Sequence, residues 1–315
     1  MKQSLATTQL ALNMINESKK PAEWALKRPM RVLDLFCCSG GAAVGYEKAF
    51  GEVEITGVDH VYKKEYPYTF IKSDIFDFIQ ETPLGWFQEF DFIHASPPCQ
   101  FHSRTKHLAI AQGNDPSDVD LMPLIRHFLL NVGVPYVIEN VVEAWMIPWE
   151  NAKKQGSNPK MVNTILCGSS FGLGVQRHRM FESSFPISSL LCDHETDSWP
   201  IGPKGKPKPW GIYGSMGDLV KGVSTKHPER GLITGGWTPP DMKTAQEAMG
   251  ITHITQWSNL KEAIPPAYTE HIGQCFLKHL QGRVEVGNMR FETLRRIRHL
   301  YGEHAEPGQL TLDGF

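Results

Sequence analysis

Apolar and polar positions along this chain alternate between short apolar runs and longer helical stripes. Met30-Arg31-Val32-Leu33-Asp34-Leu35-Phe36 reads as a buried strand, and Cys37-Cys38-Ser39-Gly40-Gly41 as the turn into a helix over 42–50. Residues 53–58, closed by Asp59, give a second strand, and Thr69-Phe70-Ile71-Lys72 gives a third that runs into Ser73-Asp74-Ile75. Phe90-Asp91-Phe92-Ile93-His94 is the fourth strand. Leu121, Leu124, Ile125, Phe128 and Leu129 fall at helical spacing within 118–131. Pro135-Tyr136-Val137-Ile138 predicts a fifth strand ending in Glu139-Asn140-Val141. Two further strands are predicted over 164–168 and 175–181, the second with Arg177 and Arg179 on one face. Helices are expected over 6–26, 244–250 and 269–280, and a stripe of Leu294, Ile297 and Leu300 marks the tail. Strands alternating with helices, with a glycine turn after the first strand, predict an α/β fold of Rossmann-like type: a mostly parallel sheet with helices on both faces.

The pattern also divides the chain. Residues 1–29 are expected to form an N-terminal helical extension, 30–182 the main α/β domain, 183–242 a small loop-rich region, and 243–315 a segment returning to the main domain. The 183–242 region is rich in Gly, Pro and Lys, as in Gly202-Pro203-Lys204-Gly205-Lys206-Pro207-Lys208-Pro209.

Composition adds less. The 315 residues are 41% hydrophobic and 21% charged, which is ordinary globular material, and the formal net charge is -2. Basic residues cluster: residues 153–230 hold 11 Lys+Arg against 6 Asp+Glu. That balance suits either a local polyanion contact or a solvated lysine-rich loop. No apolar run reaches the roughly 18 residues of a membrane span, so no membrane partner is expected, and the start lacks a secretory core. Six cysteines without paired CxxC spacing fit reduced thiols in the cytoplasm. Cys192 and His194 could share a metal, but the sequence shows no second ligand pair beside them, and no metal site is expected.

The candidate chemistry centres on Ala95-Ser96-Pro97-Pro98-Cys99-Gln100. Paired prolines end the fourth strand and present Cys99 on a rigid turn. Cys99 is there either a nucleophile or a small apolar residue packed under a loop. Asp59 and Asp74 stand at successive strand ends after the glycine turn, where an acid either binds a ligand, as Asp59 could a ribose diol, or caps a helix. The 101–113 loop offers Ser103, Arg104, Lys106 and His107 to a substrate.

Taken in order, these motifs resemble those of the DNA cytosine-5 methyltransferases, and most closely a compact phage or bacterial member. Asp34-Leu35-Phe36-Cys37-Cys38-Ser39-Gly40-Gly41 looks like the family's S-adenosyl-L-methionine (AdoMet) loop, Pro98-Cys99-Gln100 like its nucleophile motif, Glu139-Asn140-Val141 like its target-base motif, and Arg177-His178-Arg179 like its arginine motif. The sequence departs from the family pattern at Cys38, where glycine is usual, and in the glutamine displaced to Gln176. The resemblance covers about 30–181 and resumes over 243–280.

The resemblance implies an AdoMet-dependent methyltransferase fold with 30–182 as the catalytic domain and 183–242 as a target-recognition region. It implies Cys99 as nucleophile, Glu139 as the acid at cytosine N3, Arg179 at O2 and Arg177 in support. It implies AdoMet contacts from Phe36, Cys38, Ser39, Gly40, Gly41, Asp59, His60, Asp74, Ile75 and Pro98, and substrate contacts from Gln100, Ser103, Arg104 and Asn140. The expected partner is double-stranded DNA, the expected state a monomer, and a companion restriction enzyme in a bacterial or phage-infected cell is compatible with it. Two rivals keep much of this sequence logic: a tRNA cytosine-5 methyltransferase of the same mechanism, and an inactive AdoMet-binding regulatory subunit. A nicotinamide dehydrogenase fits poorly, because the glycine turn lacks GxGxxG spacing.

Overall fold

The structure, a computed structural model, describes residues 28–98, 121–142, 162–194, 199, 201, 208–213 and 239–281. Strand β1 spans Met30–Leu35, helix α1 Gly41–Phe50, β2 Val53–Asp59 and β3 Thr69–Lys72; helices α2 (Ile75–Glu81) and α3 (Leu84–Phe87) precede β4 (Phe92–Ala95). Helix α4 (Met122–Val132), β5 (Tyr136–Asn140), β6 (Val162–Leu166), a 3₁₀ turn (Gly168–Phe171) and β7 (Arg179–Ser183) follow. Helices α5 (Met242–Met249), α6 (Trp257–Leu260) and α7 (Pro266–Leu280) complete the described chain.

The strands form one seven-stranded sheet in the order β3-β2-β1-β4-β5-β7-β6. The pairings from β3 through β5 are parallel, and β7 runs antiparallel to both β5 and β6. Alternating side chains load both faces. Val32, Phe92 and Val137 pack on one side with Ala43 and Tyr46 of α1 and Tyr268, Ile272 and Phe276 of α7. Leu33, Leu35, Ile93 and Ile138 pack on the other with Phe78, Phe87, Ile125 and Leu129 of α2 to α4. The sheet is therefore covered on both faces, as the sequence pattern predicts. No helix among the described residues is long and apolar enough to cross a membrane.

Close contact between α1 and α7 depends on Gly45. A Cβ there would collide with the Thr269 hydroxyl and the Pro266 carbonyl, and the Thr269 Oγ1 donates to the Ala42 carbonyl at 2.8 Å. The α7 segment is thereby fixed against the helix that follows the glycine turn.

The strand order changes direction between β1 and β4, where β1 leads outward through β2 and β4 outward through β5. Ligands of open α/β sheets bind at the carboxyl ends beside such a switch. The register sets those ends level: Leu35 pairs with both Val58 and Ala95, and Ala95 pairs with Ile138. Consequently Phe36, Asp59, Ser96 and Glu139, each one residue further on, share a single rim.

One predicted strand is shorter than expected. Residues 175–178 lie outside β7, which begins at Arg179, so Arg177 and Arg179 do not share a strand face. The Arg177 carbonyl accepts from the Tyr268 hydroxyl and its guanidinium donates to the Lys261 carbonyl at 2.7 Å. These contacts tie the residue to the α6–α7 segment and not to a ladder. The predicted 6–26 helix, the 101–113 loop and the tail stripe lie outside the described residues.

Candidate active site

The glycine turn after β1 is held in an uncommon backbone conformation. Phe36 has φ 59° and Cys38 φ 46°, both left-handed without being glycine, and Gly40 has φ 85°. Such non-glycine positions persist only when their surroundings over-determine them. Here Cys37 N–H donates to the Val58 carbonyl at 3.1 Å and Gly40 N–H to the Cys37 carbonyl at 3.0 Å. Cys38 N–H donates to the Asp59 carboxylate at 3.0 Å. A Cβ at Gly41 would collide with the Ile264 carbonyl, so the residues before α7 form the wall behind the turn. The His253 ring, in contact with the Ser39 carbonyl at 2.8 Å, closes another side.

Asp59 sits at the tip of β2 and holds this turn. Besides Cys38 it accepts from the Val61 N–H at 3.0 Å, and the exposed His60 ring lies 3.1 Å from its Oδ1. Oδ2, which takes only the Cys38 N–H among the described residues, keeps a further lone pair for a ligand hydroxyl. Asp74 caps α2, its Oδ1 accepting from Phe76 N–H at 2.8 Å, while the residue itself is exposed at the rim. Ile75 is buried in the core on the sheet face that α2 to α4 cover.

Two polar atoms beneath the turn lack hydrogen-bond partners among the described residues: Asp34 Oδ1 and Ser39 Oγ. Asp34 is 1% exposed, and its Oδ2 accepts from the Tyr66 hydroxyl at 3.3 Å. Burial pushes its carboxyl up to about 8. The folded value lies above the ordinary 3.8, so between those limits the native carboxyl keeps a proton that the unfolded chain has lost. Its stabilising contribution is full below the lower value and is lost as pH rises through the upper one, at about 1.4 kcal/mol per pH unit. Asp34→Asn is expected to abolish this dependence. In urea titrations the variant's stability relative to the parent should rise between about pH 5 and pH 7.5; a difference that is flat with pH would contradict the buried neutral carboxyl.

On the other side of the switch, Glu139 and Asn140 end β5. Glu139 is buried, and its Oε1 meets Arg179 Nε at 2.9 Å. Burial raises its pKa above the ordinary carboxylate value even though Arg179, Arg177 and the Ser96 hydroxyl pull it down. Arg177 is 3% exposed; burial and the neighbouring Arg179 push it down to about 10, which leaves it charged at neutral pH. Its Nε and Nη1 have no hydrogen-bond partner among the described residues. A buried cation with unpartnered N–H groups next to a buried carboxylate can stabilise negative charge developing on a ligand.

Asn140, expected at the substrate, makes two hydrogen bonds to the neighbouring backbone. Its Nδ2 donates to the Pro97 carbonyl at 3.0 Å and its Oδ1 accepts from Val141 N–H at 2.8 Å. It therefore braces the turn that leads to Cys99. Pro97 is buried and Pro98 exposed at the same rim. Cys99, Gln100, Ser103 and Arg104 lie outside the described residues.

A polar chain that sequence reasoning missed runs under this site. The Tyr46 hydroxyl lies 2.8 Å from His94 Nδ1, and His94 Nε2 lies 2.8 Å from the Ser96 hydroxyl, which in turn bonds Glu139. Burial pushes His94 down to about 3, so the ring is neutral. With Glu139 ionised, Tyr46 donates to Nδ1, Nε2–H donates to Ser96, and Ser96 donates to the carboxylate. The alternating pattern marks His94 and Tyr46 only as inward positions; a histidine in a strand with apolar neighbours was the one available signal.

No protein-family model matches the sequence, and no curated protein is similar to it. Among solved structures, the Entamoeba histolytica methyltransferase EhMeth matches over 81% of this chain and 99% of its own, at 13% identity and TM-score 0.46. The delta-N METTL16 MTase domain matches over 56% of this chain and 83% of its own, at 15% identity and TM-score 0.33. Human methyltransferase-like protein 13, solved in complex with SAH, matches over 56% and 80%, at 10% identity and TM-score 0.28. Likenesses at this level do not bear on what the chain acts on.

Proposed function

We propose that this protein transfers a methyl group from AdoMet to carbon 5 of cytosine in double-stranded DNA, by way of a covalent bond between Cys99 and carbon 6 of a base turned out of the duplex. The observation that carries the reading is the buried Glu139–Arg179 pair, held on one rim with the Pro97-Pro98 turn by the Asn140 brace. The ordered motifs of the sequence supply the nucleophile that this pair would serve.

The residues at the β1 turn fit AdoMet. Two buried polar atoms without partners, Asp34 Oδ1 and Ser39 Oγ, lie beside a turn that leaves backbone N–H groups at the start of α1. Phe36, Cys38, Ser39, Gly40 and Gly41 would hold the methionine end, Asp59 the ribose, and His60, Asp74, Ile75 and Pro98 the adenine side. When bound, AdoMet supplies an electrophilic methyl group.

The chain's own residues would do the rest. Cytosine carbon 5 is too weak a nucleophile unaided, so the Cys99 thiolate adds to carbon 6 and moves an electron pair toward carbon 5. Glu139, its pKa raised by burial, is suited to carry a proton and share it with N3 as that charge develops. Arg179 would bind O2, with Arg177 adding charge from behind. Carbon 5 would take the methyl group with that electron pair, the S–CH3 bonding pair staying on the donor's sulfur. Loss of the carbon 5 proton to solvent would then reform the carbon 5–carbon 6 double bond and expel the Cys99 thiolate. A base inside a duplex is shielded from all these groups, which is why extrusion is part of the proposal. Gln100, Ser103 and Arg104 are the residues proposed to contact the extruded nucleotide.

The test is methyl-labelled AdoMet offered with duplex DNA and with tRNA in parallel, followed by base-resolution mapping. Label at carbon 5 of DNA cytosine is the expected result. Label confined to tRNA would replace the polymer while keeping the chemistry, and label on neither would sink the proposal.

A further inference from the structure

Sequence reasoning set a metal aside because no second ligand pair accompanies Cys192 and His194 in the chain. The fold provides that pair. Cys167 stands at the end of β6, His178 immediately before β7, and Cys192 and His194 beyond it. One ligand atom from each of the four lies within 4.8 Å of the other three.

We propose that Cys167, His178, Cys192 and His194 bind one zinc ion in a closed, tetrahedral Cys2His2 site. The geometry is the argument. With Zn–S near 2.3 Å and Zn–N near 2.0–2.1 Å, a tetrahedral site has S···N edges of about 3.5 Å. Cys167 Sγ lies 3.7 Å from His194 Nε2, and Cys192 Sγ lies 3.6 Å from His178 Nε2. The two imidazoles meet edge to face, centroids 5.0 Å apart and planes at 77°, so their nitrogens converge without stacking.

The surroundings suit such a site. The Ser169 hydroxyl donates to Cys167 Sγ at 3.2 Å, as an outer donor to a thiolate would. The Gln176 side-chain amide reaches His194 Nδ1 at 3.2 Å. Turned so that its oxygen accepts the Nδ1 proton, that amide fixes Nε2 as the ligand atom. The buried Trp199 ring stacks on the His194 ring, centroids 6.2 Å apart and planes at 20°. Binding would release the two thiol protons to solvent and change no oxidation state.

Four protein ligands leave no open position, so the ion's role is structural. It would join the ends of β6 and β7 to the segment that enters the loop-rich region. His178 lies between Arg177 and Arg179, and Arg179 Nη1 donates to the His178 carbonyl at 2.8 Å. The clip would therefore hold the arginines of the candidate active site in place. The metal site does not depend on the methyltransferase reading and stands or falls separately.

The test uses the full chain purified without chelator. Elemental analysis is expected to give one zinc per chain, falling to background in Cys192→Ser and in His194→Ala. Cobalt(II) exchanged into the parent should give the visible d–d bands of a tetrahedral site together with a thiolate charge-transfer band, so the proposal remains testable even if the variants fold poorly. Cys275→Ser removes another thiol beside a histidine, 3.8 Å from His271, and should leave the metal content unchanged. A parent chain that takes up neither zinc nor cobalt would overturn the proposal. So would a parent in which Cys167 and Cys192 are joined as a disulfide, or variants that keep full zinc.

Discussion

The Cys99→Ala protein is expected to show no methyl transfer above background while binding AdoMet as the parent does. In the proposed mechanism the Cys99 thiol forms the bond that activates carbon 5, whereas the cofactor is held by other groups, around the β1 turn. The residues leading to it do not depend on the thiol: Pro97 is buried and its carbonyl is held by Asn140. Calorimetric titration with AdoMet and a transfer assay on the same preparation separate the two roles. Residual transfer at a substantial fraction of the parent rate would rule out the covalent mechanism.

Glu139→Gln should have the next largest effect. The amide keeps the shape of the carboxyl but cannot neutralise Arg179 or carry a proton to N3. Loss of a positioned acid of this kind slows reactions by roughly 10²–10⁴-fold. A second consequence follows from burial: Arg179 and the 3%-exposed Arg177 would lose the counter-charge of Glu139. Removing one member of a buried ion pair typically destabilises by about 3–5 kcal/mol, so thermal unfolding should shift down together with the rate. AdoMet affinity should stay close to the parent's, since Glu139 lies on the β5 side of the rim. Single-turnover rates that match the parent would remove Glu139 from the chemistry.

The parts of this architecture that could be read from the sequence are those with strong local patterns. β1 to β5 are short apolar runs ended by acids, prolines or glycines, and α1, α4 and α7 are long enough to show helical spacing. Helices α2, α3 and α6 were not predicted, because seven residues or fewer do not complete enough turns for a stripe to emerge. The 175–181 run alternates like a strand, but Arg177 is drawn out of the sheet by Tyr268 and the Lys261 carbonyl, contacts across more than 80 residues that no local pattern encodes. Asn140 is similar. Its place beside Glu139 suggested a substrate contact, and no local pattern shows that its amide also holds the Pro97 carbonyl. The Tyr46–His94–Ser96 chain and the four-residue metal cluster come from separate stretches of sequence, and only the folding of the sheet brings each together.

The central claim is that the Cys99 sulfur bonds to carbon 6 of a DNA cytosine during transfer. The most direct measurement is trapping on duplex DNA carrying 5-fluorocytosine, where fluorine at carbon 5 blocks the final elimination. In the presence of AdoMet the parent chain is expected to give a complex stable to denaturing electrophoresis, with the attached nucleotide mapped by mass spectrometry to Cys99, and Cys99→Ala to give none. Methylation of ordinary DNA without any trapped complex, or a complex attached through another residue, would contradict the account.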